Sequence, residues 1–360
     1  MANDPHNPPR PDVTALASGG AASTEPHADP RTDPQVGVVV IGRNEGERLM
    51  RCLDALARAG VVESHIVYVD SGSSDGSAEK VRARGVDAVA LEPPFTAAKG
   101  RNAGIKHLVA RHADLFAIQF VDGDCEYFPA WIDVASKALR DDPTVCAVTG
   151  VQHERRPEAT VYNLLCDVEW TGVVGEIDSF AGNVMVRVRA LFDTELGTGK
   201  LYDPELIAGE DPEFSIRIRK TTGLRVVRID EPICLHDVDM TKLSQWWKRN
   251  VRAGHAYAQV SRMHGDAPLH FWKRETRSNW LWGAALPLAA APLVPPAYVS
   301  LFWRIYRGAR ARGLDPHAAR VYAFFTAVGK VPQALGQAKY WWNQLRGVKS
   351  RIIEYKTPGG

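Results

Sequence analysis

The sequence predicts an α/β fold with a Rossmann-like sheet, followed by a helical region that is rich in tryptophan and arginine. From residue 36 onward, short apolar runs alternate with amphipathic stretches of helical period, which is typical of βαβ units. Polar loops follow four of the apolar runs, and parallel strands bring such loops to one edge of a sheet. The chain has 360 residues, 45% of them hydrophobic, enough to bury a core of this kind.

The first two units place polar loops after their strands. The apolar run of residues 36–41 leads into a polar loop and then a helical pattern. A second run ends in Asp70 and leads into a loop rich in serine and glycine. A carboxylate at a strand end can accept hydrogen bonds from a base or a ribose, as acidic residues do in other doubly wound folds.

The third unit places basic residues near the same edge. Residues 86–91 form another apolar run, and the helical stretch of residues 96–111 carries Lys99 and Arg101 close to its start. Both side chains can meet phosphate charge there, so that together with Asp70 they indicate a nucleotide site. The sequence has neither a G-x-G-x-x-G after the first run nor a G-x-x-x-x-G-K-[ST], which disfavours a dinucleotide fold and a P-loop.

The fourth run, residues 115–124, ends in two carboxylates, Asp122 and Asp124, with one glycine between them. An apolar run of this kind predicts a buried strand that delivers both carboxylates to its C-terminal tip. Two carboxylates that flank a small residue can hold a divalent cation, and oxygen ligands favour Mg²⁺ or Mn²⁺.

Five ordered segments then carry a family resemblance: VVVIGRNEGERL, VYVDSGSSDGS, AAKGRNAGI, FVDGD and AGEDPEFSIR. In this combination, residues 36–239 resemble an inverting glycosyltransferase of family 2 with the GT-A fold. The resemblance implies a mixed sheet flanked by helices and a nucleotide-diphosphate sugar donor of the UDP, GDP or dTDP type. It also implies Mn²⁺ or Mg²⁺ as cofactor.

The resemblance further implies roles for individual residues. Asp122 and Asp124 would form the DxD metal motif, with direct ligation expected of Asp124 and with Asp122 nearer the ribose. Asp211, which follows Glu210, would be the catalytic base that takes the proton of the attacking hydroxyl. The residues expected to bind the nucleotide or the donor are Ile41, Arg43, Asn44, Glu45, Asp70, Asp75, Lys99, Arg101, Asp122, Gly182, Asn183, Arg249 and Arg252.

Several of these positions have a plainer interpretation. Asp211 could only cap the N-terminus of a helix at residues 212–220, and Gly182 could mark a bulge in a strand. His236 is expected to complete the metal or diphosphate site as a neutral imidazole, but it could be a packed or surface side chain. Arg249 and Arg252 could belong to a solvated basic face.

The last third of the chain differs sharply in charge from the rest. Residues 240–360 hold 19 lysines and arginines against four acidic residues, a net charge of +15, which leaves −13 for residues 1–239. They also hold eight of the ten tryptophans. Basic charge combined with tryptophan predicts an anionic membrane surface as a partner. No recognition motif supports nucleic acid, and we expect no such partner.

Residues 280–303 form a run of 24 residues without a charge, which is long enough to span a bilayer. Its four prolines argue against a straight span, because each removes a backbone donor that lipid cannot replace. We expect a broken helical hairpin at the membrane interface, with a single span or a buried soluble subdomain as the alternatives. Residues 318–345 predict one further amphipathic helix.

The expected organisation is a disordered tail at residues 1–34, a GT-A catalytic domain at residues 35–239 and a membrane-interfacial helical region at residues 240–360. The five cysteines are widely scattered, which suits reduced thiols in a cytosolic compartment. The expected location is therefore the cytoplasmic face of the cell membrane, as a peripheral or monotopic protein.

The expected function is metal-dependent, inverting transfer of one sugar to a lipid-linked or saccharide acceptor near the membrane. The segment that begins at Gln245 departs from the QxxRW of processive enzymes, which favours addition of a single sugar. One alternative is a sugar nucleotidyltransferase, although the loop after the first strand matches its Gly-rich basic loop poorly. The other is a non-catalytic, membrane-associated scaffold with a GT-A-like fold.

Overall fold

The computed structural model describes residues 35–289 and 291–351, so the tail expected to be disordered, residues 1–34, lies outside the described residues. Within the described ranges, nine strands form one mixed sheet. The strands are β1 (Val36–Gly42), β2 (Ile66–Asp70), β3 (Asp87–Ala90), β4 (Ala117–Asp122), β5 (Cys125–Tyr127), β6 (Val145–Glu154), β7 (Gly175–Glu176), β8 (Val184–Arg187) and β9 (Arg225–His236). The predicted α/β fold is confirmed.

The strand order is β3-β2-β1-β4-β8-β6-β9-β5, and β7 pairs with β9. The first four strands in this order are parallel, whereas β8 runs antiparallel to both β4 and β6. The register places Gly42 beside Asp70 and Ile41 beside Asp122. The predicted polar strand ends therefore lie at one edge of the sheet.

Helices cover both faces of this sheet. Within residues 35–239, the α/β domain, they are α1 (Glu47–Arg58), α2 (Ser77–Ala83), α3 (Ala97–Arg111), α4 (Trp131–Asp141), α5 (Val161–Thr171), α6 (Val188–Thr198) and α7 (Glu210–Thr222). The alternation of side chains along β1 explains the two core layers, since Val38 and Val40 pack into one layer and Val39 into the other. Thr96 caps α3 by accepting a hydrogen bond from the Lys99 backbone N–H at 3.2 Å.

The C-terminal region is helical, as predicted. Its helices are α8 (Leu243–His264), α9 (Lys273–Trp280), α10 (Leu286–Ala289), α11 (Val294–Ala311), α12 (Pro316–Val328) and α13 (Lys330–Leu345). Trp246 of α8 packs with Leu165 and Cys166 of α5, which joins this region to the α/β domain. Helices α8 and α13 approach so closely that a β-carbon added at Gly336 of α13 would lie 2.0 Å from the backbone oxygen of Val251 on α8.

The apolar run of residues 280–303 is broken, as its prolines predict. After α9 the chain forms a π-helical turn (Leu281–Ala285), the short helix α10 and a 3-10 turn (Ala291–Leu293) before α11 begins. Tyr298 of α11 donates a hydrogen bond to the backbone oxygen of Trp282 at 2.5 Å, which brings the two arms together. Among the described helices, none has both the length and the apolar character needed to cross a membrane.

Three predicted boundaries are wrong. Residues 318–345 form two helices rather than one, since α12 ends at Val328 and α13 begins at Lys330. Helix α7 begins at Glu210, two residues earlier than predicted. The apolar run of residues 224–229 predicts a strand that ends near Ile229, but β9 continues through Pro232 to His236.

Candidate active site

Asp124 and His236 meet at the sheet edge. They are 112 positions apart in sequence, but β5 follows Asp124 directly and its Cys125 pairs with His236 of β9. Oδ1 of Asp124 lies 3.2 Å from Nε2 of His236, and both side chains are largely buried. Burial alone lowers the pKa of the His236 imidazole, but the carboxylate of Asp124 more than reverses this and holds the pKa well above its usual value.

Two residues that the sequence did not indicate fix the His236 ring. The side-chain amide of Gln152, on β6, lies 2.9 Å from Nδ1 of His236. The indole of Trp170, on α5, stacks on the imidazole with a centroid distance of 4.4 Å and an interplanar angle of 5°. Contacts of this kind set the orientation of an imidazole that ligates a metal.

The ligand-capable atoms of Asp124, Cys125 and His236 all lie within 4.8 Å of one another. A carboxylate oxygen and an imidazole nitrogen suit Mn²⁺, and a carboxylate suits Mg²⁺. The Cys125 thiol is a soft donor, which these hard cations disfavour. Asp124 and His236 therefore supply donor atoms that fit the predicted metal once the imidazole has lost its proton, whereas the Asp122 carboxylate points to a different partner.

That partner is Arg101, whose buried guanidinium joins three carboxylates. Nη2 of Arg101 lies 3.4 Å from Oδ1 of Asp122. Nη1 lies 2.9 Å from Oε1 of Glu210 and 3.3 Å from Oδ1 of Asp211. One side chain thus connects the end of β4 to the start of α7. Arg101 was predicted to contact the donor, and the structure places it between the predicted metal motif and the predicted base.

The two acidic residues at the start of α7 have opposite pKa shifts. Burial raises the pKa of Asp211, as do the charges of Glu210 and Asp122, against the lowering effect of Arg101. For Glu210 burial acts in the same direction, but the charges of Arg101 and Arg252 outweigh it and lower the pKa. Glu210 is therefore the ionised partner of Arg101, and Asp211 is the more basic carboxylate.

The alternative that Asp211 only caps α7 is wrong. Gly209, with a left-handed φ of 81°, occupies the N-cap position, and Asp211 lies within the first turn without a capping hydrogen bond. Arg252, on α8, is close enough for its charge to lower the pKa of Asp211 and Glu210. Arg249, by contrast, pairs with Glu169 of α5 at 2.7 Å.

Gly182 and Asn183 lie where the DxD residues meet this network. A β-carbon added at Gly182 would lie 2.6 Å from Oδ2 of Asp122 and 2.8 Å from Nη2 of Arg101. Gly182 lies before β8, outside the strand, so the alternative that it marks a strand bulge is wrong. The close approach of Asp122 and Arg101 explains why this position is a glycine. Asn183 accepts a hydrogen bond from the backbone N–H of Asp122 at 3.2 Å and donates one to Gln152 at 2.8 Å.

The two predicted nucleotide loops hold each other in place. The carboxylate of Asp70 accepts hydrogen bonds from the backbone N–H groups of Gly72 and Ser73. Asn44, with a left-handed φ of 56°, donates its backbone N–H to Ser73 Oγ at 2.9 Å and accepts from the Ser74 N–H at 2.7 Å. The structure therefore brings these loops together at the ends of β1 and β2.

The remaining predicted donor residues line the same edge. The Ile41 backbone oxygen accepts a hydrogen bond from the Gly123 N–H at 2.8 Å, which links the first loop to the DxD motif. Glu45 pairs with Arg48 at 3.1 Å, and the carboxylate of Asp75 accepts from the Gly46 N–H at 2.9 Å.

Two basic side chains of the predicted donor set flank these loops. The Arg43 guanidinium lies 5.5 Å from the centroid of the Phe95 ring. Lys99 lies in the first turn of α3, two residues before Arg101.

The fold is that of the GT-A glycosyltransferases. Residues 37–176 match the sequence model of a protein family described as Glycosyl transferase family 2. The matched residues run from β1 to β7, so the similarity to this family covers the first part of the α/β domain. No curated protein sequence matches the chain.

Two solved structures share the fold over most of the chain. Mannosyltransferase PcManGT from Pyrobaculum calidifontis, in complex with GDP-Man and Mn²⁺, is 21% identical with a TM-score of 0.55, covering 88% of this chain and 89% of its own. TarS 1-349 of S. aureus is 14% identical with a TM-score of 0.50, and the match covers 86% of this chain and 92% of the TarS chain. In both cases the similarity extends beyond the catalytic domain into the C-terminal helices.

Proposed function

We propose that this glycosyltransferase is metal-dependent and inverting, and that it transfers one sugar from a nucleotide-diphosphate donor to an acceptor hydroxyl. The observation that carries the proposal is the position of Arg101, which joins Asp122 of the metal motif to Asp211. Asp122 of the DxD motif and the proposed base are thereby held at opposite ends of one guanidinium. The presence of GDP-Man and Mn²⁺ in PcManGT supports a nucleotide sugar and a divalent cation as the ligands.

Asp124 and His236 would hold the cation, Mn²⁺ or Mg²⁺. When bound, such a cation neutralises the negative charge that develops on the leaving diphosphate. Lys99, in the first turn of α3, forms no ion pair within the described ranges and is available to the same phosphates. The loops that contain Asn44 and Asp70 would hold the base and the ribose.

Asp211 would accept the proton of the acceptor hydroxyl as this attacks the anomeric carbon. A general base works best when its pKa approaches the working pH, and burial moves the pKa of Asp211 in that direction. Glu210 stays ionised beside Arg101 and compensates the guanidinium charge. Inversion follows because the hydroxyl attacks from the face opposite the leaving group.

The acceptor is proposed to be lipid-linked or otherwise close to a membrane, and the protein to act at the cytoplasmic face of the cell membrane. Support comes from the C-terminal helices, which carry exposed tryptophans such as Trp303 and Trp342 beside a large excess of basic residues. Basic charge and exposed aromatic rings together favour an anionic lipid surface.

The test compares Asp124→Ala with Asp211→Asn. Thermal unfolding is measured with UDP, GDP, dTDP and CDP, each with and without Mn²⁺, and sugar transfer is measured with the donor so identified. Asp124→Ala should lose the metal-dependent stabilisation, whereas Asp211→Asn should keep it and lose transfer by about 10² to 10⁴-fold. Full transfer in both variants would overturn the assignment.

The same assay separates the two rival functions. Release of pyrophosphate from a nucleoside triphosphate would indicate a sugar nucleotidyltransferase. No stabilisation by any nucleotide diphosphate with Mn²⁺ would indicate a scaffold that has lost catalysis. The family match and the close grouping of Asp122, Arg101 and Asp211 favour the glycosyltransferase over both.

A further inference from the structure

An open pocket with a strongly basic lining lies where α9 begins. Its volume is about 410 Å³, and it is lined by His270, Lys273, Arg274 and Arg277. None of these lining residues is acidic. Lys273 has one distant partner, the fully exposed Asp266 at 4.0 Å. Arg274 and Arg277 form no ion pair with any residue that the structure describes.

Further positive charge lies beside α9, since Nζ of Lys330 donates a hydrogen bond to Oδ1 of Asn279 on that helix at 2.9 Å. Burial lowers the pKa of Lys330, and the charges of Arg304 and Arg274 lower it further, against the raising effect of Glu275. The pocket lies at the N-terminus of α9, where the helix dipole is also positive. These positive charges outnumber the nearby carboxylates of Asp266 and Glu275 and repel each other, and an anionic ligand reduces that repulsion.

The pocket adjoins the loop that carries the proposed base. Trp272 lies between two pocket-lining residues in the sequence, and its ring would lie 3.7 Å from a β-carbon added at Gly209. Gly209 directly precedes Glu210 and Asp211. The Trp272 ring also packs edge-on against Tyr257 of α8, with centroids 4.7 Å apart. One tryptophan therefore lies close to the base loop, while His270 and Lys273 beside it in the sequence line the pocket.

An exposed apolar surface continues from the pocket along the same helix. Trp280 and Leu281 follow Arg277 at spacings of three and four residues, so all three side chains share one helical face. The side chains of Trp280 and Leu281 are 36% and 54% exposed. A ligand that fits this surface combines an anionic group with a hydrocarbon chain.

We propose that the pocket binds the phosphate group of an amphiphilic acceptor while the acceptor hydroxyl lies at Asp211. This inference rests on the proposed function, because it assigns an acceptor subsite to the same enzyme. Two arginines, a lysine and an imidazole supply the donors that a phosphate accepts. The hydrocarbon chain of the acceptor lies along Trp280 and Leu281.

The first experiment titrates inorganic phosphate by calorimetry in the presence of EDTA, so that no divalent cation contributes. The pocket variant is Arg274→Ala combined with Arg277→Ala. The matched control is Arg307→Ala combined with Arg320→Ala, which removes two exposed arginines of α11 and α12. The pocket variant should bind phosphate at least about tenfold more weakly than the wild type, and the control should bind it equally well.

The second arm separates the sources of the phosphate. Dodecyl phosphate, below its micelle concentration, should bind at least about tenfold more tightly than inorganic phosphate, because the chain adds apolar contact. Equal affinity for the two would overturn the amphiphilic acceptor and leave a soluble phosphate ester as the ligand. Equal phosphate affinity in pocket and control variants would overturn the pocket assignment.

Failure of this inference is distinguishable from failure of the proposed function. Thermal stabilisation by the nucleotide diphosphate with Mn²⁺ is measured on the same wild-type and variant samples. If stabilisation persists while phosphate affinity is unchanged by Arg274→Ala with Arg277→Ala, only the pocket assignment falls. If the wild type shows no stabilisation, the proposed function itself is contradicted.

Discussion

At the scale of single residues, Gly182 is where the site is most tightly packed. Its missing side chain leaves room for the carboxylate of Asp122 and the guanidinium of Arg101, both of which would lie under 3.0 Å from a β-carbon. The guanidinium cannot withdraw freely, because Arg101 is buried and also pairs with Glu210 and Asp211. A single methyl group at this position must therefore displace the ion pair.

We expect Gly182→Ala to lower the turnover number for sugar transfer by about 100-fold, since small displacements of catalytic groups have effects of this size. The circular dichroism spectrum should match that of the wild type. Gly308→Ala is the control, because a β-carbon added there meets nothing within 4 Å and lies in the helix α11. It should keep full activity and stabilise the fold by up to about 1 kcal/mol. Wild-type turnover in Gly182→Ala would contradict the tight packing described here.

Single residues also show how far the sequence alone could predict the site. The structure joins Asp122 to Asp211 through Arg101, and it places Asp124 beside His236. The ordered motifs indicate the three carboxylates, whereas His236 was expected from the family resemblance alone. Gln152 and Trp170 were not predicted, because a glutamine in a strand and a tryptophan on a helix have no local signature. Their role depends on how β6 and α5 approach β9, which only the folded chain defines.

At the scale of elements, strand β9 shows why some boundaries could not be predicted. Pro232 interrupts the strand pattern, and proline usually ends a central strand. The structure tolerates it because the register of β6 against β9 shifts between Thr149 and Val151 and again before Gln152. The irregularity lets β9 extend to His236, and it thereby places that imidazole beside Asp124. Gly329 between α12 and α13 is a breaker that could have been read from the sequence.

A buried ion pair connects the element that carries the base to α8. Glu213 of α7 is 1% exposed and lies 2.8 Å from Nη2 of Arg217 and 3.3 Å from Nε2 of His264. Burial raises the pKa of Glu213, but the hydrogen bonds from Arg217 and His264 outweigh it and lower the pKa from 4.5 to about 2. A depressed pKa stabilises the fold at pH values above the unfolded pKa, and this stabilisation is lost as the pH falls toward the folded pKa.

We therefore expect Glu213→Gln to lower the free energy of unfolding by about 3 kcal/mol near neutral pH. The difference from the wild type should shrink as the pH falls from about 4.5 toward 2, because the wild-type carboxylate then becomes protonated as well. Urea unfolding at a series of pH values measures both. Glu195→Gln, on the neighbouring helix α6, is the matched control and should change little. If the difference in free energy of unfolding between the wild type and Glu213→Gln does not vary with pH, the ion pair is not the cause of that difference.

At the scale of the whole molecule, the chain divides into an acidic catalytic part and a basic helical part. Residues 1–239 carry a net charge of −13 and residues 240–360 carry +15. Trp303 and Trp342, on α11 and α13, are 54% and 59% exposed, although the rings are large and apolar. Such rings settle at the boundary between lipid headgroups and hydrocarbon, and the basic charge favours anionic headgroups.

We expect the protein to float with vesicles that contain phosphatidylglycerol more than with pure phosphatidylcholine vesicles. The electrostatic contribution to vesicle binding should disappear as the salt concentration rises from about 0.1 M to 1 M, because the screening length then falls from about 10 Å to 3 Å. Trp303→Ser with Trp342→Ser should weaken binding to both vesicle types by at least about tenfold, since the aromatic contribution does not depend on salt. Leu196→Ser, at an 89% exposed site in the catalytic domain, is the control and should bind as the wild type does. If the wild type floats with neither vesicle, the C-terminal helices do not bind lipid, and a membrane-proximal acceptor loses its support.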